Sequence, residues 1–136
     1  MGMYTEILFR AEMVPNWDED EKVRRAVSIM RNTYTEEPPE RELLPDHPLF
    51  DCPRWALLAT CNSYYFPLAN HEVWEDDYQG GKYWSFRANI KNYDGEIGKF
   101  FDWIDPYIRD SGGEFVGYEL YEEDTTPTLH FKGGPR

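Results

Sequence analysis

HEVWEDDYQGGKYWSFRANI, residues 71–90, reads as two strands and a tight turn. Residues 71–76 and 82–90 flank a loop holding Gly80-Gly81, and paired glycines supply the backbone freedom a hairpin turn demands. In the second arm Trp84, Phe86, Ala88 and Ile90 point one way, while Tyr83, Ser85, Arg87 and Asn89 point the other. That alternation marks an antiparallel sheet with one face turned to a core.

Upstream, residues 4–13 repeat the pattern. Ile7, Phe9, Ala11 and Met13 alternate with Glu6, Leu8, Arg10 and Glu12 until Pro15 ends the run. A helix is expected next, capped by Asn16 or Asp18, with its acids early and Arg24, Arg25 and Arg31 later to suit the helix dipole. Val23, Ala26, Val27 and Met30 define its buried face. Residues 33–53 carry five prolines and six acids without any period, so a long acidic loop is expected, pinned by Leu43, Leu44, Leu49 and Phe50. RWALLAT, residues 54–60, is a continuous apolar run suited to a strand buried on both faces, with a short strand at 63–66 stopped by Pro67.

Downstream, Asn92 or Asp94 can cap a second helix whose stripe is Ile97, Phe100, Phe101, Ile104 and Ile108. Pro106 is placed to kink it, and Gly112-Gly113 to terminate it. Residues 114–121 and 128–131 read as a terminal hairpin, with Gly117 accommodating a bulge or a close aromatic neighbour. The expectation is one α+β domain over residues 1–132, followed by a tail at 133–136. Its sheet is largely antiparallel with two helices packed on one face, a ferredoxin-like split βαβ enlarged by the central hairpin.

Composition narrows the function. The 136 residues hold 26 acids against 14 bases, a net charge of −12, with 17% aromatics. Such a chain lacks the basic excess that phosphate backbones or anionic lipid surfaces require, and it is too aromatic for a disordered acidic tail. No apolar run is long enough to span a membrane, and the first residues lack the regions of a signal peptide, so a cytoplasmic protein is expected. Cys52 and Cys61 flank the expected strand at 54–60, about 30 Å apart if extended, and are read as reduced packing residues.

No spacing of Cys and His suggests a metal site, and no glycine loop or nucleophile motif suggests catalysis or a cofactor. His71, Glu72, Glu75, Asp76 and Asp77 form a dense oxygen-rich cluster, read as a solvated hairpin end because no ion-loop pattern accompanies it. Trp55, Tyr64, Tyr65, Trp74, Tyr83 and Trp84 gather in the central strands, and alternation cannot bury them all. The candidate binding residues are therefore Trp55, Tyr64, Trp74, Tyr83 and Arg87, with Glu72 and Asp76 beside them.

The stretches KNYDGEIGKFFDWIDPYIRD and GEFVGYELYEEDTTPTLHF, with MYTEILFRAEM and HPLFDCPRW, resemble small acidic α+β proteins of phage and prophage type. The resemblance implies a mobile-element origin and a host-directed accessory role, with no catalytic residue. A non-enzymatic binding module is thus expected, its partner another protein with a basic surface. A carboxylate array imitating DNA phosphates would need those acids on one face. Two alternatives stand beside it: an enzyme with a pocket lined by Trp55, Trp74 or Trp84 and using Glu72 or His71, and a homo-oligomer paired through its sheet.

Overall fold

In a computed structural model, which describes residues 3–61, 72–109 and 113–133, five strands form one sheet with two helices on a single face. The strands are β1 (Thr5–Met13), β2 (Val73–Asp76), β3 (Lys82–Ile90), β4 (Phe115–Tyr121) and β5 (Thr128–Phe131); the helices are α1 (Glu21–Met30) and α2 (Glu96–Ile104). The sheet order is β2-β3-β1-β4-β5 and every neighbouring pair is antiparallel. With α1 between β1 and β2, and α2 between β3 and β4, the first four strands follow the split βαβ arrangement. The hairpin of β2 and β3 supplies two of those four strands, so it does not enlarge the fold as expected. β5 enlarges it, outside β4.

The two-residue period places Ile7, Phe9, Ala11 and Met13 beside Trp84, Phe86, Ala88 and Ile90, all buried against the helices. Phe9 lies centrally: its ring meets those of Trp84, Phe86, Phe100 and Phe101 at centroid distances of 5.1–6.1 Å. α1 contributes Val23, Ala26, Val27 and Met30, the four residues its spacing assigns to the core. Its cap is Asp20, whose carboxylate accepts from Lys22 N at 2.9 Å. The chain turns through residues 14–20 before the helix starts, so neither Asn16 nor Asp18 caps it.

At α2 the side chain of Asn92 accepts from Ile97 N at 2.9 Å, while Gly95 takes φ +72° immediately before the first turn. Pro106 ends the helix rather than kinking it, because its ring cannot continue the ladder. A 3-10 turn at Asp105–Tyr107 follows, and Ile108 bridges to Met13 in extended form. Termination therefore falls well before Gly112-Gly113, of which Gly112 lies outside the described residues.

The segment between α1 and β2 departs furthest from expectation. Residues 33–53 are not featureless: 3-10 turns occupy Arg41–Leu43 and Pro48–Asp51. Leu44, Leu49 and Phe50 enter the core, while Leu43 is exposed. Residues 54–60 form no strand. A third 3-10 turn at Trp55–Leu57 runs into a further turn that buries Leu58 and Ala59. A short apolar run fits a buried turn as well as a buried strand, and Pro53 precedes this one. The geometric separation of Cys52 and Cys61 along a strand lapses with it, although no disulfide joins them. The expected strand at 63–66 lies outside the described residues. These turns pack on both helices, with Phe50 against Trp55 and Trp103 at 4.9 and 5.0 Å.

Candidate functional site

The sheet face opposite the helices is covered by no described element. β1 presents Glu6, Leu8, Arg10 and Glu12 there; β3 adds Tyr83, Ser85 and Arg87, β2 Val73 and Glu75, and β4 Tyr118 and Leu120. Each of two glutamates on β1 is gripped by an arginine and a tyrosine. Glu6 accepts from Arg87 through both oxygens, at 3.2 and 3.4 Å, and from the Tyr118 hydroxyl. Glu12 accepts from the Tyr83 hydroxyl at 3.2 Å and from Arg109 at 2.8 Å. Arg10 lies over the Tyr83 ring, 5.4 Å from its centroid.

These contacts shift the ionisations. Hydrogen bonding to Glu12, with its charge, pushes the Tyr83 phenol above its ordinary value. Partial burial pushes up Tyr118, and its hydrogen bond to Glu6 adds to that. Arg87 and Arg109 are held more firmly protonated by the glutamates they meet. Between the clusters lies a depression of about 310 Å³ whose lining includes Leu8, Arg10, Val73, Ser85 and Arg87. Val73 is 41% exposed, and towards the β5 side Leu129 and Phe115 are 45% and 47% exposed. Three carboxylates (Glu6, Glu12, Glu75) face three guanidinium groups (Arg10, Arg87, Arg109). This face is locally balanced on a chain of net charge −12.

The candidate residues read from the sequence disperse. Tyr83 and Arg87 belong to this face. Trp74 does not: it points to the helix side, packing on Trp17 and Trp84 at 5.0 and 6.2 Å. Glu72 pairs with Arg31, whose guanidinium lies 4.9 Å from the Trp74 ring centroid. Asp76 sits at the hairpin end and pairs with Lys82 at 3.0 Å. Trp55 packs on Phe50 among the 3-10 turns, separated from Trp84 by Trp103 and Phe100. Trp55, Trp74 and Trp84 therefore do not wall one cavity. Tyr64 and His71 lie outside the described residues. Glu6, Glu12, Leu8, Val73 and Tyr118 were missed as site residues because their association depends on which strands flank β1.

The acidic clusters occupy different ends. Residues 18–21 follow the end of β1, and Asp76 and Asp77 share that end because Met13 pairs with Lys82. Glu122, Glu123 and Asp124 follow Tyr121, which pairs with Thr5 at the opposite end. The acids of residues 36–51 sit on the segment packed over the helices. No regular one-sided carboxylate array results among the described residues. Among the described residues no cluster of His, Cys, Asp and Glu has the makings of a metal site, and no helix is long and apolar enough to cross a membrane. Comparison with family models, with curated proteins and with solved structures finds no match.

Proposed function

We propose that this chain is a non-enzymatic binding module that docks another protein on the open face of its sheet. The observation that carries the reading is the composition of that face: partly exposed Leu8, Val73, Leu120 and Leu129 lie between ion pairs that are already closed. A surface with apolar residues and balanced charge loses little on desolvation, which is what the centre of a protein interface requires. The acids at the sheet ends then form a negative rim that steers a partner with a basic periphery. The dispersal of those acids argues against imitation of DNA phosphates. Two cysteines joined by no disulfide suit a reducing compartment such as the cytoplasm. The likeness to phage-type proteins makes a bacterial host protein the natural partner.

Photo-cross-linking tests the reading. A cross-linkable residue at Val73 should capture one protein species, and one at Glu37 should not capture it. Addition of Leu8→Asp and Leu129→Asp should abolish the capture. Equal capture from both positions, or capture that survives these changes, would overturn the assignment. A product of twice the chain mass would overturn it in favour of self-pairing.

A further inference from the structure

Where β1 and β4 meet the approach to α2, the helix side of the sheet holds a pocket of about 290 Å³. Thr5 pairs with Tyr121 and Ile7 with Glu119, so Thr5, Tyr121 and Glu119 point to the face that Ile7 turns to the core. The loop before α2 brings in Tyr93, whose hydroxyl accepts from Met3 N at 3.1 Å. Asp124, just beyond the end of β4, stands exposed at the rim.

The oxygens of this pocket are under-used. Thr5 is only 5% exposed, yet its hydroxyl finds no hydrogen-bonding partner among the described residues. A buried hydroxyl in that condition costs stability unless something reaches it. Glu119 gives Oε2 to His130 at 2.9 Å, and neither its Oε1 nor the Asp124 carboxylate accepts from a described residue. No lysine, arginine or histidine among the described residues lines the pocket. Partial burial pushes the Tyr121 phenol up, and the charges of Glu123, Glu122 and Asp124 add to it, which marks a negative potential here. The Tyr93 ring already takes a cation elsewhere on its surface: the Arg54 guanidinium, no part of the lining, lies 5.1 Å from its centroid.

We propose that this pocket binds the primary ammonium group of a small organic amine. An ammonium carries three donors and no acceptor, which complements a site of unoccupied oxygens with no competing cation. Its N–H groups donate to the Thr5 hydroxyl and to Oε1 of Glu119, and Asp124 adds attraction from the rim. The aliphatic part packs on the rings of Tyr93 and Tyr121, whose faces favour positive charge. A carboxylate or phosphate would meet repulsion from the same acids. The volume lies at the low end of small-molecule sites, which restricts the ligand to a compact amine. A metal ion suits the pocket less, since no cluster of His, Cys, Asp and Glu among the described residues has the makings of a metal site. The pocket is on the helix side of the sheet and stands whether or not the open face is occupied.

The test uses the whole chain and n-butylammonium chloride, compared with n-butanol and tetramethylammonium chloride. Salt at about 150 mM screens diffuse attraction to a chain of net charge −12. Amide NMR should show butylammonium shifting residues 4–6, 92–94 and 119–124 while leaving 75–77, at the opposite end of the sheet, in place. n-Butanol should bind at least about tenfold more weakly, and tetramethylammonium, which has no N–H, at least about threefold. Thr5→Val keeps shape and charge but removes the hydroxyl, and should weaken butylammonium at least about threefold. Glu119→Gln, which can still accept from His130, should weaken it by a similar factor. The proposal is overturned if butylammonium leaves the pocket residues unshifted at tens of millimolar, or shifts both ends of the sheet alike. It is equally overturned if n-butanol binds as well, or if either folded variant binds butylammonium as the parent does. Tetramethylammonium binding as tightly as butylammonium would overturn it in favour of a purely aromatic cation site.

Discussion

Gly117→Ala probes a close backbone approach between β4 and β1. Gly117 pairs with Phe9 on β1 and with His130 on β5, and the β4–β5 register shifts between Phe115 and Gly117. A methyl group there would stand 2.0 Å from the Leu8 carbonyl oxygen and 3.0 Å from Cζ of Phe101. Carbon and oxygen ordinarily approach no closer than about 3.3 Å. β4 must therefore withdraw from β1 by more than about 1 Å, which stretches a ladder bond of about 2.9 Å beyond useful length. Each buried group so orphaned costs about 1–3 kcal/mol, and the disturbed contact with Phe101 adds to it. The expected loss is about 3 kcal/mol or more, out of a total of about 5–15.

Gly98→Ala is the matched control. It adds the same methyl group inside α2, where nothing lies within 4 Å, and should raise stability by about 1 kcal/mol through helix propensity. In urea, with a slope of about 1–3 kcal/mol per molar, tryptophan fluorescence should report midpoints displaced in opposite directions. A Gly117→Ala midpoint equivalent to within about 0.5 kcal/mol of the parent would refute the argument, because it would show that β1 and β4 are not held at this separation.

Two further outcomes follow from local contacts. The Tyr118 phenol is raised by burial and then by donation to Glu6, so Glu6→Gln should lower its ultraviolet titration toward the ordinary value without abolishing the burial effect. Because the folded value lies above the unfolded one, the associated stability is complete below about pH 10 and is lost as pH rises through the folded value. An unchanged titration in the variant would remove Glu6 from the account. Asp20→Ala should cost about 1 kcal/mol in urea unfolding, since its carboxylate satisfies Lys22 N at the start of α1.

What the sequence disclosed follows from the range of the forces involved. Period-two runs at 4–13 and 82–90 and the helical stripe of α1 are local, and each appears in the structure with its buried face as read; the stripe of α2 holds as far as Ile104, while Ile108 reaches the core from the extended segment beyond it and Glu96 and Trp103 join the buried face. Gly117 was legible too, since a glycine within an aromatic strand signals a bulge or close approach, and both occur there. RWALLAT was not, because an apolar run of seven residues carries no period that separates a strand from a buried turn. The surface was least legible. Glu6 and Glu12 looked like ordinary solvent-facing positions, and only the order β3-β1-β4 brings Arg87 and Tyr118 onto Glu6. Trp74 illustrates the opposite failure: its aromatic character suggested a binding surface, but pairing opposite Trp84 directs it toward the core.

The central position of β1 has a consequence for how the protein is made. β1 occupies residues 5–13, yet both of its partners come late, β3 beginning at residue 82 and β4 at 115. At about 5–20 residues per second, a ribosome needs about 3–14 s to reach β3 after finishing β1. During that interval Ile7, Phe9, Ala11 and Met13 have no strand to pair with. Folding must then close loops of roughly 80 and 110 residues before the sheet can hold, which favours a slow, late and concerted assembly. The charges alternating with that apolar row, Glu6, Arg10 and Glu12, would keep the waiting strand in solution. The same glutamates that grip the finished face would thus first serve the unfinished chain.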